Sequence, residues 1–173
     1  MNESLLFKFK DYVSRNYDNC DLTNLVMCSH LHSSKIHLDE LIISNYDYTA
    51  MEYLDNYRIL KSIELISNMT NQVYIRVGYK SITAFSKAFL RITGFHASYF
   101  YTNKLEEYKD LAPIVYSIAE KDPKKAIQFI INNTSIRTIL LEQQKKIKFR
   151  NLVYCDIKPF SHREALTLDA LIV

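Results

Sequence analysis

Residues 76–95 read RVGYKSITAFSKAFLRITGF, and they hold both glycines of a 173-residue chain, Gly78 and Gly94. Glycine enters left-handed or closely approached backbone positions without a steric penalty, so two of them around one short segment mark a turn before it and a stop after it. Ser81 stands where an N-cap belongs, and Phe85, Ala88, Phe89 and Ile92 recur at three- and four-residue spacing. That pattern predicts a helix over about 81–92 with one buried face. The other face carries Thr83, Ser86, Lys87, Leu90 and Arg91, with Lys80 at the entrance, side chains that donate hydrogen bonds and tolerate phosphate. Upstream, Val73, Ile75 and Val77 supply apolar positions for a preceding helix that ends at Gly78, giving helix, tight turn, helix. Any two amphipathic helices on a glycine turn share this pattern, so periodicity alone leaves DNA recognition and plain packing both open.

The order of residues is more specific. The stretch resembles the second helix-turn-helix of the AraC/XylS transcription regulators: Val73, Gly78, Tyr79, Ser81, Phe85, Phe89 and Gly94 match that pattern in register. Tyr74 replaces a usual alanine, Ala97 a usual proline, and Phe100 and Tyr101 stand where Tyr and Arg are common. Upstream, EYLDNYRILKSIELI is similar to the linker helix of that family, with Tyr53, Leu54, Arg58 and Ile59 in place and Ser62 at an alanine position. SSKIHLDELI takes the place of the first recognition helix, with Ser34 as cap and Leu38, Leu41 and Ile42 as its buried stripe. Asp47 and Ala50 replace a glycine and a proline there, so the first unit is degenerate. The resemblance covers residues of about 5–101. It implies an all-α fold of two helix-turn-helix units joined by a linker helix, and recognition helices about 34 Å apart, one DNA turn.

Charge divides the two units. Met1 to Ile66 carries six basic and ten acidic residues, a net of −4, whereas Ser67 to Asn103 carries Arg76, Lys80, Lys87 and Arg91 and no acid, a net of +4. A polyanion therefore meets the second unit more readily, and four neutralised phosphates correspond to a salt slope of about −3 to −4. The expected DNA-contacting set is Arg76, Lys80, Ser81, Ile82, Thr83, Ser86, Lys87 and Arg91. On the first unit the outward face shows Ile36, Asp39, Glu40 and Ile43, and its acids repel phosphate unless they accept from cytosine N4. That face reads either as a weak DNA contact or as a surface for a protein partner.

Other chemistry finds little footing. The chain is 48% hydrophobic with a net charge of +3, enough for one or two small cores and too modest a charge to imply polyanion binding alone. Three unpaired cysteines, Cys20, Cys28 and Cys155, fit a reducing compartment. Cys28, His30 and His32, with His37 as a distant fourth, read as ordinary helix residues rather than a metal site. Glu106-Glu107 and Asp39-Glu40 are adjacent pairs that splay around a helix, and there is no phosphate-binding loop or nucleophile motif, so an enzyme is not expected and no cofactor or metal is assigned. The N-terminal MNESLLFKFKDYVSRNY is too charged for a signal peptide and no segment reads as membrane-spanning, which points to the cytoplasm.

Residues 104–173 lie outside the resemblance and read as a small helical C-terminal region, against 1–103 for the tandem helix-turn-helix. A helix over Leu105 to Ala119, bent or broken near Pro113, precedes one with Asp122 as N-cap and Pro123 at its first position. A third is expected from Thr134 or Ser135 through Ile147, then a basic cluster, Lys145, Lys146, Lys148 and Arg150, read as a solvated helix end, and a last helix near Ser161 to Leu171. Few residues precede the first unit, so control by abundance or by a protein partner is expected in place of a sensor domain. The sequence as a whole reads as a sequence-specific transcription regulator that binds double-stranded DNA mainly through its second unit. RNA polymerase or another regulatory protein is a further candidate partner. The competing reading is a degenerate scaffold for protein contacts, a co-regulator or anti-activator.

Overall fold

The computed structural model describes residues 2–68, 72–102, 106–135 and 138. The chain divides into two compact units, Met1–Ile136 and Arg137–Val173, and the helices between Asn2 and Asn133 all belong to the first. Apart from Thr134, where α9 ends, and residues 135 and 138, the expected helix from 134 to 147 falls outside the described residues, as do the basic cluster at 145–150 and the last helix. Within them all regular structure is helical.

Helix α1 spans Asn2–Asn16, and its Phe9 and Val13, four residues apart, are fully buried. After a turn come α2, Asn24–Leu31, and α3, Lys35–Tyr46. Each starts on a hydroxyl that accepts from the third amide beyond it, Thr23 from Val26 and Ser34 from His37, as helix N-termini with orphan donors require. Each stops on a left-handed residue, His32 at φ 50° and Asp47 at φ 63°. Asp47 thus does the work of the glycine common at that point, since a short polar side chain is among the few that enter this region at modest cost.

Helix α4, Ala50–Ser67, follows on a capping box in which Thr49 and Glu52 satisfy each other's backbone amides. Eighteen residues make a rod about 27 Å long. Its Tyr53 and Leu54 join Phe9, Val13, Leu22, Met27, Leu38 and Ile42 in the core of the N-terminal half. Its later turns, Ile59, Ile63 and Ile66, are buried on the C-terminal side.

Helix α5 is a single turn, Val73–Arg76, shorter than the apolar spacing suggests: Val73 and Val77 are buried but Ile75 is exposed. Helix α6, Ile82–Thr93, and α7, Ala97–Thr102, complete the second helix-turn-helix. Its core is a chain of rings, Tyr79 to Phe85 at 5.7 Å, Phe85 to Phe89 at 5.6 Å, Phe89 to Phe100 at 4.9 Å and Phe100 to Phe95 at 6.2 Å, in edge-on contacts.

Helices α8, Glu106–Ala119, and α9, Pro123–Asn133, form a hairpin. Of the bend or break expected near Pro113, the break does not occur; α8 runs through it as one helix. Pro113 is exposed, as is Lys109 one turn before it, so the carbonyl deprived of its donor lies on the solvent side. Asp122 caps α9 through the amides of Lys124 and Lys125, and Pro123 takes the first helical position. The hairpin packs on the linker helix and the second helix-turn-helix: α9 lies against α4 and also touches α6. The Tyr48 hydroxyl donates to buried Asp122 at 2.7 Å, Tyr116 to Glu64 at 2.6 Å, and Lys10 to the Glu120 carbonyl.

Candidate nucleic-acid interface

The turn before α6 is built from the first half of the chain. Arg58, buried on α4, donates through Nε to the Tyr17 carbonyl at 2.8 Å and through Nη2 to the Asn19 carbonyl at 2.7 Å. Gly78, at φ 79°, sits on this assembly; a Cβ there would lie 2.5 Å from the Tyr17 oxygen and 2.9 Å from Arg58 Nη2. Two demands, left-handed backbone and close approach, converge on one residue, and only glycine meets both. The Arg58 guanidinium also lies over the Tyr79 ring, 5.4 Å from its centre, so the α1–α2 turn, the linker helix and the second helix-turn-helix meet at one cation.

Helix α6 has the expected polarity. Ser81 accepts from the Ala84 amide at 3.1 Å, Gly94 ends the helix at φ 79°, and Phe85, Ala88 and Phe89 are buried, with Ile92 half-buried. Ser81, Ile82, Thr83, Lys87, Leu90 and Arg91 are exposed and Ser86 half-exposed, with Lys80 and Arg76 exposed on the approach. Tyr74, where a small residue is usual, is half-exposed beside Ile82 and Tyr101, so its bulk is directed to the surface of the unit and not into the ring stack.

The four cations of this unit are not equivalent. Lys80 pairs with Asp21 at 2.6 Å, both side chains largely in water, and Arg91 pairs with Asp55 of α4 at 2.6 Å. Asp55 also accepts from the Tyr79 hydroxyl at 3.1 Å, and burial together with this carboxylate holds the Tyr79 phenol well above its ordinary range. Arg76 and Lys87 have no ion pair among the described residues. Sequence spacing carries no sign of the Asp21 and Asp55 contacts, because both acids come from far along the chain and sit in the half that is acidic overall.

On the first unit, α3 turns Ile36, Glu40 and Ile43 outward, as expected, but not Asp39. Asp39 is half-buried and accepts from the Ala50 amide at 3.0 Å and the Asn24 amide group at 3.4 Å. It is an internal acceptor that fixes the start of the linker helix, and its proximity to a helix N-terminus explains why a carboxylate is tolerated there. Cys28 is buried and donates to Asn24, His30 stacks on Tyr12 at 4.0 Å, and His32 caps α2 through its left-handed backbone.

Two short helix pairs, each with a left-handed stop and each ending in an outward-facing second helix, are joined by one long helix. A family profile described as a helix-turn-helix domain matches residues 27–101. Residues 27–101 are an AraC-type helix-turn-helix region. Two solved structures share the fold of this AraC-type region. The C-terminal domain of AraT, a response regulator from Geobacillus stearothermophilus, is 22% identical with a TM-score of 0.54, over 57% of this chain and 84% of that one. The C-terminal domain of the two-component response regulator yesN from Fusobacterium nucleatum subsp. nucleatum ATCC 25586 is 18% identical with a TM-score of 0.52, over 58% and 99%. No curated protein matches the chain. Among the described residues no helix is long and apolar enough to cross a membrane.

Proposed function

We propose that the protein is a sequence-specific transcription regulator that binds double-stranded DNA, with α6 of the AraC-type region as its main reader. The observation that carries this reading is the outward face of α6: Thr83, Lys87 and Arg91 exposed along one row, Ser86 half-exposed, and the phenylalanines of the same helix buried. Thr83 and Ser86 then face base edges in a major groove, while Arg76, Lys80, Lys87 and the Ser81 end of the helix meet phosphates. The chemistry is recognition, with no catalytic step. RNA polymerase or a second regulatory protein is the kind of further partner such a regulator engages.

The test is selection of a duplex from a random pool by the full chain, followed by titration of that duplex and a scrambled one at several salt concentrations. Lys87→Ala combined with Arg91→Ala is expected to remove most duplex binding while leaving the helical fold intact. Retained binding shows that α6 is not the reader. One observation favours the competing scaffold reading: the first unit exposes Leu25 on α2 and Ile36 on α3, at 76% and 71%, and α3 also exposes Glu40 and carries only Lys35 as a cation. If selection returns no preferred sequence, that face is the place to look for a protein contact.

A further inference from the structure

Asp55 lies at a junction. It projects from the second turn of α4, and its two carboxylate oxygens are divided between the second unit's turn and its recognition helix: Oδ1 accepts from Tyr79 at 3.1 Å and Oδ2 pairs with Arg91 at 2.6 Å. The Asp55 side chain is only 24% exposed, whereas the Arg91 side chain it holds is 53% exposed. The anion is therefore anchored on both sides, by its own helix and by a phenol that is itself buried, and the cation is the mobile partner. Thr83, Lys87 and Arg91 follow one ridge of α6, each four-residue step turning about 40° further around the helix. Lys87 stands in open solvent at the centre of that ridge; Arg91 ends it on the side facing the linker helix. A phosphate that recruits Arg91 has to displace a fixed carboxylate from a short contact.

We propose that Asp55 is a positioning residue that withholds the Arg91 guanidinium from the nucleic-acid backbone and so trades charge-driven affinity for sequence discrimination. This rests on the reading of α6 as the DNA reader. Phosphate attraction is shared by every sequence, while base contacts are not, so removing one cation from the phosphate count lowers binding to all duplexes and raises the share of the total that depends on sequence. The exposed Lys80–Asp21 pair does not act this way, because both of its groups are in water and exchange partners at little cost. Three cations, Arg76, Lys80 and Lys87, then reach phosphate, and the expected salt slope is about −2.7 where four would give about −3.6.

The experiment compares wild type, D55N, R91A and the D55N/R91A double variant as full chains. Asparagine keeps the size of the side chain and an acceptor for Tyr79 while removing the charge that holds Arg91. On a random duplex, D55N is expected to steepen the salt slope by about 0.9, which is about 3.5-fold more gain in affinity than wild type between 200 and 50 mM salt. Its ratio of selected to random affinity falls. In the R91A background the same change leaves the slope unaltered, which separates release of Arg91 from a general loss of negative charge. A purely structural role for Asp55 moves the melting temperature but neither slope nor ratio. Elution from heparin, a polyanion without bases, gives the same comparison if no duplex is bound: D55N elutes at higher salt than wild type only when Arg91 is present. Absence of duplex binding by wild type refutes the reading of α6; equal heparin elution of wild type and D55N refutes the role of Asp55, whatever the duplex result.

Discussion

Gly78→Ala and Gly94→Ala form a matched pair, because both glycines have φ 79° and differ only in what surrounds them. An alanine at Gly94 meets nothing within 4 Å. It carries the left-handed strain of about 1–2 kcal/mol. Loss of unfolded-chain freedom returns about 0.4–1 kcal/mol, for a net of about 0.5–1 kcal/mol. At Gly78 the new methyl group would sit 2.5 Å from the Tyr17 carbonyl oxygen and 3.0 Å from the Asp18 carbonyl carbon, both backbone. The chain has to separate there, and the separation pulls the Tyr17 carbonyl from Arg58, whose hydrogen bonds to Tyr17 and Asn19 are charge-assisted. Each such bond contributes about 1.5–3 kcal/mol, and a buried guanidinium left half-paired costs more than an ordinary donor. The total for Gly78→Ala is about 3–5 kcal/mol. Thermal unfolding followed by circular dichroism is expected to show a drop of about 3 °C for Gly94→Ala and of about 10 °C or more for Gly78→Ala. Equal drops refute the argument, since they mean that backbone conformation, and not the meeting of the α1–α2 turn with the second unit, sets the requirement for glycine.

Three other outcomes follow from the hydrogen bonds. Tyr48→Phe removes the buried bond to Asp122 but leaves that carboxylate its amide partners in α9, so denaturant titration should show a loss of about 1–2 kcal/mol with the slope unchanged. The bonds from the Thr49 amide and hydroxyl hold the Glu52 carboxyl below its usual value, so their stabilisation is present above pH 4.5 and is lost as pH falls through the lowered folded value; Glu52→Gln, which removes the titrating group, should flatten that part of the pH–stability curve. Tyr116 donates to Glu64, which pushes its phenol up to about 12, and burial raises Tyr48, Tyr53, Tyr79 and Tyr108 further. Their neutral forms favour the fold below pH 10 and this contribution is lost as pH climbs through the folded values. Tyrosinate absorbance from these residues should therefore rise together with the loss of helical signal, and an early, independent rise of all thirteen tyrosines would contradict the burial.

Local rules in this chain are carried by local residues. Ser34, Ser81, Thr23 and Asp122 cap the helices they precede, and the three- and four-residue apolar spacing of Leu38, Leu41 and Ile42 or Phe85 and Phe89 marks the faces that are buried. These are short-range effects, and a linear sequence records them directly. The glycine pair was legible for the same reason, although its strongest cause, the approach of Tyr17, was not. What sequence spacing missed is long-range: Asp39 turned inward to the start of α4, Asp55 and Asp21 reaching the second unit, Tyr48 joined to Asp122. A carboxylate has no periodicity that tells solvent from a partner thirty or seventy residues away. The course of α8 through Pro113 belongs to the same class, because whether a lost amide bond ends a helix depends on what the freed carbonyl faces.

The long-range ties also bear on how the two halves act together. The N-terminal half is acidic and exposes isoleucines where α3 faces outward, and it is a poor match for a phosphate backbone. Its α1–α2 turn nevertheless carries the carbonyls that hold Arg58 and the backbone against which Gly78 is packed, and its Asp21 reaches Lys80. The linker helix supplies Asp55. The first unit therefore takes part in setting the turn, the entry lysine and the final arginine of α6 whether or not α3 touches DNA. A variant that disrupts only the α1–α2 turn, such as Asn19→Pro, should then alter duplex affinity through α6 with no residue of α6 changed, and the alteration should vanish in the R91A background to the extent that it acts through the linker carboxylate. If duplex affinity is indifferent to that turn while the protein remains folded, the second unit is self-sufficient and the contacts around Arg58 serve stability alone.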